Sequence, residues 1–141
     1  MIRKASAVWQ GDLKSGSGTM TAPSGVMTAA AYTFATRFEE KPGTNPEELI
    51  AAAHAGCFSM AFSAELGKAG MTPVRVETTA AVTLETVDGK STVTKSHLTV
   101  KAKVPGADRA KFLEVANGAK AGCPISRLLK AEITMEATLE A

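Results

Sequence analysis

Reactive chemistry in this chain can come from very few side chains, and two of them are its only cysteines, Cys57 and Cys123. Cys57 lies in Ala55-Gly56-Cys57-Phe58-Ser59-Met60, in the middle of an apolar helical stretch. A thiol reacts as its thiolate, and burial raises the cost of that ionisation. A mid-helix position also lies beyond the reach of the helix dipole, so a reactive Cys57 needs a cation beside it. On spacing alone, packing is the simpler account, because free cysteine is among the most buried residue types. Cys123 follows Gly122 and precedes Pro124, at or near the N-cap of a short helix. Backbone N–H groups there favour a thiolate, while a small apolar cap residue explains the position equally well.

Two charged residues are weighed beside the cysteines, Arg37 and Glu47. Arg37 is otherwise a solvated arginine paired with Glu39. Glu47 and Glu48 both suit a helix N-terminus, and Glu48 is the one placed for a capping box, which leaves the Glu47 carboxylate spare. His54 and Cys57 are helical neighbours at i and i+3. A Cys–His hydrolase pair needs nucleophile, base and oxyanion hole aligned, which one continuous helix rarely achieves, so a packed or hydrogen-bonded histidine is favoured. A zinc site from His54, Cys57, His97 and Cys123 lacks any CxxC or HxxxH spacing, and no metal is expected.

The elements that must position these groups read as strands, a long helix, a hairpin, two helices and a last strand. Ala7-Val8-Trp9 is followed by the turn signals Gly11-Asp12 and Ser15-Gly16-Ser17-Gly18. Tyr32, Phe34, Thr36 and Phe38 alternate with Thr33, Ala35 and Arg37, which predicts a strand carrying Arg37 on the face away from the aromatics. Asn45-Pro46 with Glu48 predicts a helix start, running to about Lys68, with Gly67 and Gly70 as stop signals. That helix is apolar nearly all round, and the small residues of Ala51 to Gly56 predict a second helix packed against it. Val74 to Val87 and Leu98 to Val104 alternate around the hairpin turn Asp88-Gly89. Asp108 caps a helix from Arg109 to about Lys120, Gly122-Cys123-Pro124 interrupts, and a short helix covers Ile125 to Leu129. Ile133, Met135, Ala137 and Leu139 alternate with glutamates in the last strand. The order predicts an α+β fold with mostly antiparallel sheet, one domain over residues 1–141.

Composition narrows the function. Apolar residues are 45% and charged residues 21% of 141, as in an ordinary globular protein. The 16 Lys+Arg against 14 Asp+Glu form no basic stripe, and aromatics are only 5%, so no nucleic-acid partner is expected. No GxGxxG or Walker-type loop supports nucleotide chemistry. No apolar stretch follows Arg3-Lys4 as a secretory signal would require, and Leu49 to Phe62 is too short to span a bilayer, so no membrane role and a cytoplasmic location are expected. In a reducing compartment two distant cysteines are free, metal-bound or catalytic more often than permanently bridged.

Several segments together resemble the OsmC/Ohr family, the osmotically inducible protein C and organic hydroperoxide resistance proteins. They are Thr36-Arg37-Phe38-Glu39, Gly43-Thr44-Asn45-Pro46-Glu47-Glu48-Leu49-Ile50, Ala52-Ala53-His54-Ala55-Gly56-Cys57-Phe58-Ser59-Met60 and Ala119-Lys120-Ala121-Gly122-Cys123-Pro124-Ile125-Ser126. The opening Ala7-Val8-Trp9-Gln10-Gly11-Asp12 and Leu129-Lys130-Ala131-Glu132-Ile133 extend the resemblance over essentially the whole chain. His54 and the position of Arg37 before the long helix place it closer to the OsmC branch. The resemblance implies a sheet wrapped around a long central helix in an intertwined homodimer. It implies a stress-response thiol peroxidase acting on organic hydroperoxides, with Cys57 peroxidatic, Cys123 resolving and Arg37 with Glu47 as the charged pair that holds the thiolate. No bound cofactor is implied; the reductant is an external thiol, a dihydrolipoyl-type or other small dithiol.

On this reading Cys57 becomes a sulfenic acid, Cys123 condenses with it to a redox-active disulfide, and the dithiol restores both. An apolar pocket lined by Phe38, Phe58, Met60 and Met71 would favour alkyl hydroperoxides. Glu47 and Cys57, ten residues apart, lie about 15 Å apart along one helix, so pairing of two central helices is expected to bring Glu47 of one copy towards Cys57 of the other. The competing readings are a redox-sensing or thiol-exchange protein without rapid turnover, and a non-enzymatic binding module with structural cysteines.

Overall fold

All residues from Met1 to Ala141 are described by the computed structural model, and they divide into two units, Met1–Leu49 and Ile50–Ala141. In the first unit β1 (Ser6–Gln10), β2 (Ser17–Thr21) and β3 (Ala30–Tyr32) form an antiparallel sheet in that order. Its register sets Trp9 opposite Gly18 and Gly18 opposite Tyr32. The missing side chain at Gly18 lets the two rings approach to 5.4 Å between centroids. A Cβ at that position would lie 2.7 Å from both rings, which is a clash.

The strand expected from Tyr32 to Phe38 ends at Tyr32, and Phe34–Phe38 is instead a short helix, α1. Arg37 therefore sits on a helix and not on a strand. The cause is local: the Thr33 hydroxyl accepts from the Thr36 amide at 3.3 Å, and the Thr36 hydroxyl accepts from the Thr33 amide at 2.9 Å. Phe34 and Phe38 satisfy a helical i,i+4 pairing as well as a period of two, and their rings stack at 5.0 Å.

The long helix α2, Pro46–Lys68, starts in the first unit and continues into the second. Asn45 caps it, its Oδ1 accepting from the Glu48 amide at 2.9 Å while its Nδ2 donates to the Thr36 carbonyl at 3.2 Å. Its far end closes as the glycines predict: Met71 N–H donates to Leu66 O, Gly70 N–H donates to Gly67 O, and Gly70 takes a φ of +79°. With 23 residues and an 18-residue window of mean hydropathy 1.3, α2 has the length and composition of a membrane span, longer than the apolar stretch alone suggested. Its buried stripe, His54, Phe58, Phe62 and Leu66, is nevertheless protein core. The opposite face, with Ala52, Ala53, Gly56, Met60 and Ser63, is exposed, so the packed helix expected there is not supplied by this chain.

In the second unit β4 (Arg75–Val87) and β5 (Lys90–Lys103) form an antiparallel hairpin. Asp88 and Gly89 both take positive φ, 51° and 75°, the tight turn that matches strand twist. α3 (Arg109–Gly122) and α4 (Pro124–Leu128) follow, and β6 (Glu132–Glu140) then pairs with β5 in parallel. A parallel pair needs a crossover long enough to return the chain, and the two helices supply it. Of the four strand pairings in the protein the other three are antiparallel. Phe58, Phe62 and Leu66 of α2 pack with Leu98, Val100 and Ala102 of β5 and with Phe112, Ala116 and Ala119 of α3. The Phe62 ring bridges Phe58 at 5.5 Å and Phe112 at 5.3 Å, each such side chain stabilising the fold by about 1.5–3 kcal/mol through burial.

Because Gly18 lies between two rings, Gly18→Val should lower the unfolding free energy by about 1–3 kcal/mol through overpacking. The denaturant midpoint of the variant against the parent checks this.

Candidate active site

The geometry around Cys123 follows from one proline. Pro124 disfavours helical backbone at the residue before it, and Cys123 takes φ −54°, ψ 129°. One residue thus ends α3, donating to Ala119 O at 2.9 Å, and opens α4, accepting from Arg127 N–H at 3.0 Å. The break leaves the Ile125 amide free of a helical partner. That amide lies near Cys57 and eases the ionisation of its thiol.

Cys57 and Cys123 are both free thiols and lie together as hydrogen-bonding neighbours, Cys57 partly buried and Cys123 fully so. Burial pushes the Cys57 thiol above its ordinary value; the Ile125 amide opposes that, and the adjoining Cys123 thiol adds to it. Within the second unit the two thiols are thus neighbours, and the Cys57 thiol is harder to ionise than a free one.

One helical turn before Cys57, His54 is completely buried and bonded at both ring nitrogens: Nδ1 lies 2.7 Å from Ser96 Oγ on β5, and Nε2 lies 2.7 Å from Ser126 Oγ on α4. This is the hydrogen-bonded histidine expected from the sequence. The His54 imidazole is pushed below its ordinary value by burial. Phe58 is in the core without exposure and Met71 packs against it, while Met60 is 78% exposed on the open face of α2.

Within the first unit, Arg37 and Glu47 form an ion pair. Nε of Arg37 donates to both carboxylate oxygens at 3.2 Å and Nη2 donates to Oε1 at 2.8 Å. This fork fixes the guanidinium in orientation as well as charge. It also lies over the Phe38 ring, 5.0 Å from the centroid. A cavity of about 240 Å³ opens beside it, walled by Trp9, Leu13, Tyr32, Phe34 and Phe38. Sequence reasoning named only Phe38 of these. The others are brought to Arg37 by the sheet register and by the α1 turn, neither of which a strand reading of 32–38 reveals. No group of three or more His, Cys, Asp or Glu is arranged to hold a metal ion.

The OsmC-like protein family model matches residues 38–138. The chain is 51% identical to peroxiredoxin OsmC of Escherichia coli strain K12 over 138 residues, 98% of this chain and 96% of the relative. Its fold is similar to the crystal structure of the organic hydroperoxide resistance protein OhrB of Bacillus subtilis, with a TM-score of 0.68 at 24% identity, covering 97% of this chain and 98% of that one. It is also similar to the crystal structure of an OsmC-like protein from Mycoplasma pneumoniae, with a TM-score of 0.74 at 15% identity, covering 100% and 99%.

A histidine whose folded value is depressed makes the unfolded chain the better proton binder below the ordinary value of 6.5. Stability is therefore full above that pH and falls as the pH is lowered through it towards the depressed folded value. Unfolding free energy measured across this range should decline on acidification, and His54→Gln should flatten the decline.

Proposed function

Because this chain belongs to the OsmC family and is a cysteine-based peroxidase, we propose that it reduces organic hydroperoxides to alcohols with Cys57 as the attacking sulfur and Cys123 as the resolving one. The observation that carries this reading is the juxtaposition of the two thiols with an amide near Cys57. The Cys57 thiolate attacks one peroxide oxygen, the O–O bond breaks, and the alkoxide leaves as the alcohol on taking up a proton. The resulting sulfenic acid loses its hydroxyl to Cys123: the S–S bond forms, the S–O bond breaks, and the thiol proton departs with the hydroxyl as water. An external dithiol of dihydrolipoyl type then reduces the disulfide in two exchange steps and regenerates both thiols.

Arg37 is the cation this scheme assigns to the thiolate, with Glu47 as the carboxylate that orients it. Each pKa unit by which a guanidinium lowers a thiol corresponds to about 1.4 kcal/mol of preferential stabilisation of the anion. The aromatic cavity beside Arg37 supports an alkyl or aryl tail on the substrate in preference to hydrogen peroxide. The working form is a homodimer paired along the open, small-residue face of α2, with the Arg37–Glu47 pair of one copy serving the cysteines of the other. Its place is cytoplasmic defence against oxidative stress.

Peroxidase turnover with cumene hydroperoxide, measured on protein of known assembly mass, tests the scheme. The parent should be dimeric, lose two thiols per chain on one equivalent of peroxide, and turn over faster with dihydrolipoamide than with a monothiol. Cys57→Ser should lower turnover roughly 10³-fold or more, and Cys123→Ser should consume about one equivalent without dithiol-driven turnover. Slow thiol loss without turnover would point instead to a redox sensor.

A further inference from the structure

The two cysteines are not the only link between α2 and the α3–α4 junction. His54 is three residues before Cys57, and Ser126 is three residues after Cys123. The His54–Ser126 hydrogen bond, 2.7 Å long, therefore forms a second rung beside the sulfur pair, one helical turn along α2. The rung is dry: His54 has no exposure and Ser126 only 8%. Its other nitrogen is anchored to fully buried Ser96 in the middle of β5, so the imidazole is held by the sheet while it holds α4. A neutral imidazole offers one donor and one acceptor, and two hydroxyls satisfy both without a third partner. No buried side-chain polar nitrogen or oxygen in the protein is left unpaired.

What α4 carries explains the need for the rung. α4 is only five residues long, too short to be stable by its own hydrogen bonds. It begins at the Pro124 break with Cys123 as its N-cap, and its first turn carries the Ile125 amide that eases Cys57 ionisation. Without a tether the segment could swing about the Cys123 junction and carry the resolving thiol away.

We propose that His54 is a positioning residue for the resolving step, holding α4 through Ser126 so that Cys123 stays within bonding reach of the Cys57 sulfenic acid. The inference rests on the disulfide route proposed above. Its consequence is a partition. The Cys57 sulfenic acid either condenses with Cys123, losing water, or meets a second hydroperoxide molecule, which transfers one oxygen to give the sulfinic acid and leaves as alcohol. A tether that fixes Cys123 favours the first branch.

The test compares Ser126→Ala, which cuts the rung to α4, with Ser96→Ala, which cuts the anchor to β5 and leaves the rung in place. Reduced protein is treated with increasing cumene hydroperoxide without reductant, and intact mass separates disulfide from sulfinic acid. Ser126→Ala should raise the sulfinic-to-disulfide ratio roughly 10-fold or more, as displaced reacting groups commonly do. Ser96→Ala should stay within about 2-fold of the parent in the same ratio. His54→Gln should shift the ratio in the same direction as Ser126→Ala, and it serves where that variant does not fold. Equal ratios in Ser126→Ala and Ser96→Ala, whether both raised or both unchanged, would overturn the tether while leaving the peroxidase reading intact. A parent protein that forms neither product would overturn that reading and the tether with it.

Discussion

A thiol withdrawn from water resists ionisation, and the organisation of this protein is a response to that constraint. Cys57 has to be partly buried to stand beside Cys123 in the interior of the second unit. The same burial raises the cost of the anion that the proposed mechanism requires. The chain answers with a peptide group at no cost in charge: the break enforced by Pro124 frees the Ile125 amide, which eases the ionisation of Cys57. The amide alone does not outweigh burial, since the net displacement of the thiol remains upward. In the proposed mechanism a full positive charge is the remaining requirement.

That requirement gives meaning to the way Arg37 is held. An exposed ion pair contributes little to stability, about 0–1 kcal/mol. The forked bond to Glu47 is better understood as orientation, because it fixes which way the guanidinium faces and leaves part of its donor set free. Around it the first unit builds an aromatic wall through a glycine-centred register, Trp9 to Gly18 to Tyr32. Low-dielectric walls strengthen a fixed charge. The cavity thus sets an apolar wall beside a fixed positive charge.

Much of this was legible in the sequence where the signal is local and has a single solution. Asn45-Pro46 marks the start of α2, Gly70 its end, Asp88-Gly89 the hairpin, and the strict alternation of Leu98, Val100, Ala102 and Val104 the buried face of β5. Tyr32 to Phe38 misled because its aromatics fit two periods at once, and the Thr33–Thr36 capping pair decided for the helix. The parallel pairing of β6 is a long-range choice that strand composition does not encode. The amide near Cys57 was hidden because it belongs to the backbone and carries no residue signature. The double role of His54 was hidden because its partners are serines 42 and 72 residues away.

The proposed mechanism requires Cys57 to become anionic beside the guanidinium of Arg37. The most direct measurement is the titration of Cys57 by thiolate ultraviolet absorbance in the assembled protein carrying Cys123→Ser, compared with the same protein carrying Arg37→Met in addition. The account predicts a Cys57 that ionises below the ordinary thiol value of 9.0 with Arg37 present and rises towards or above it without. Identical titrations in the two proteins, or a Cys57 that stays protonated throughout the neutral range with Arg37 in place, would contradict it.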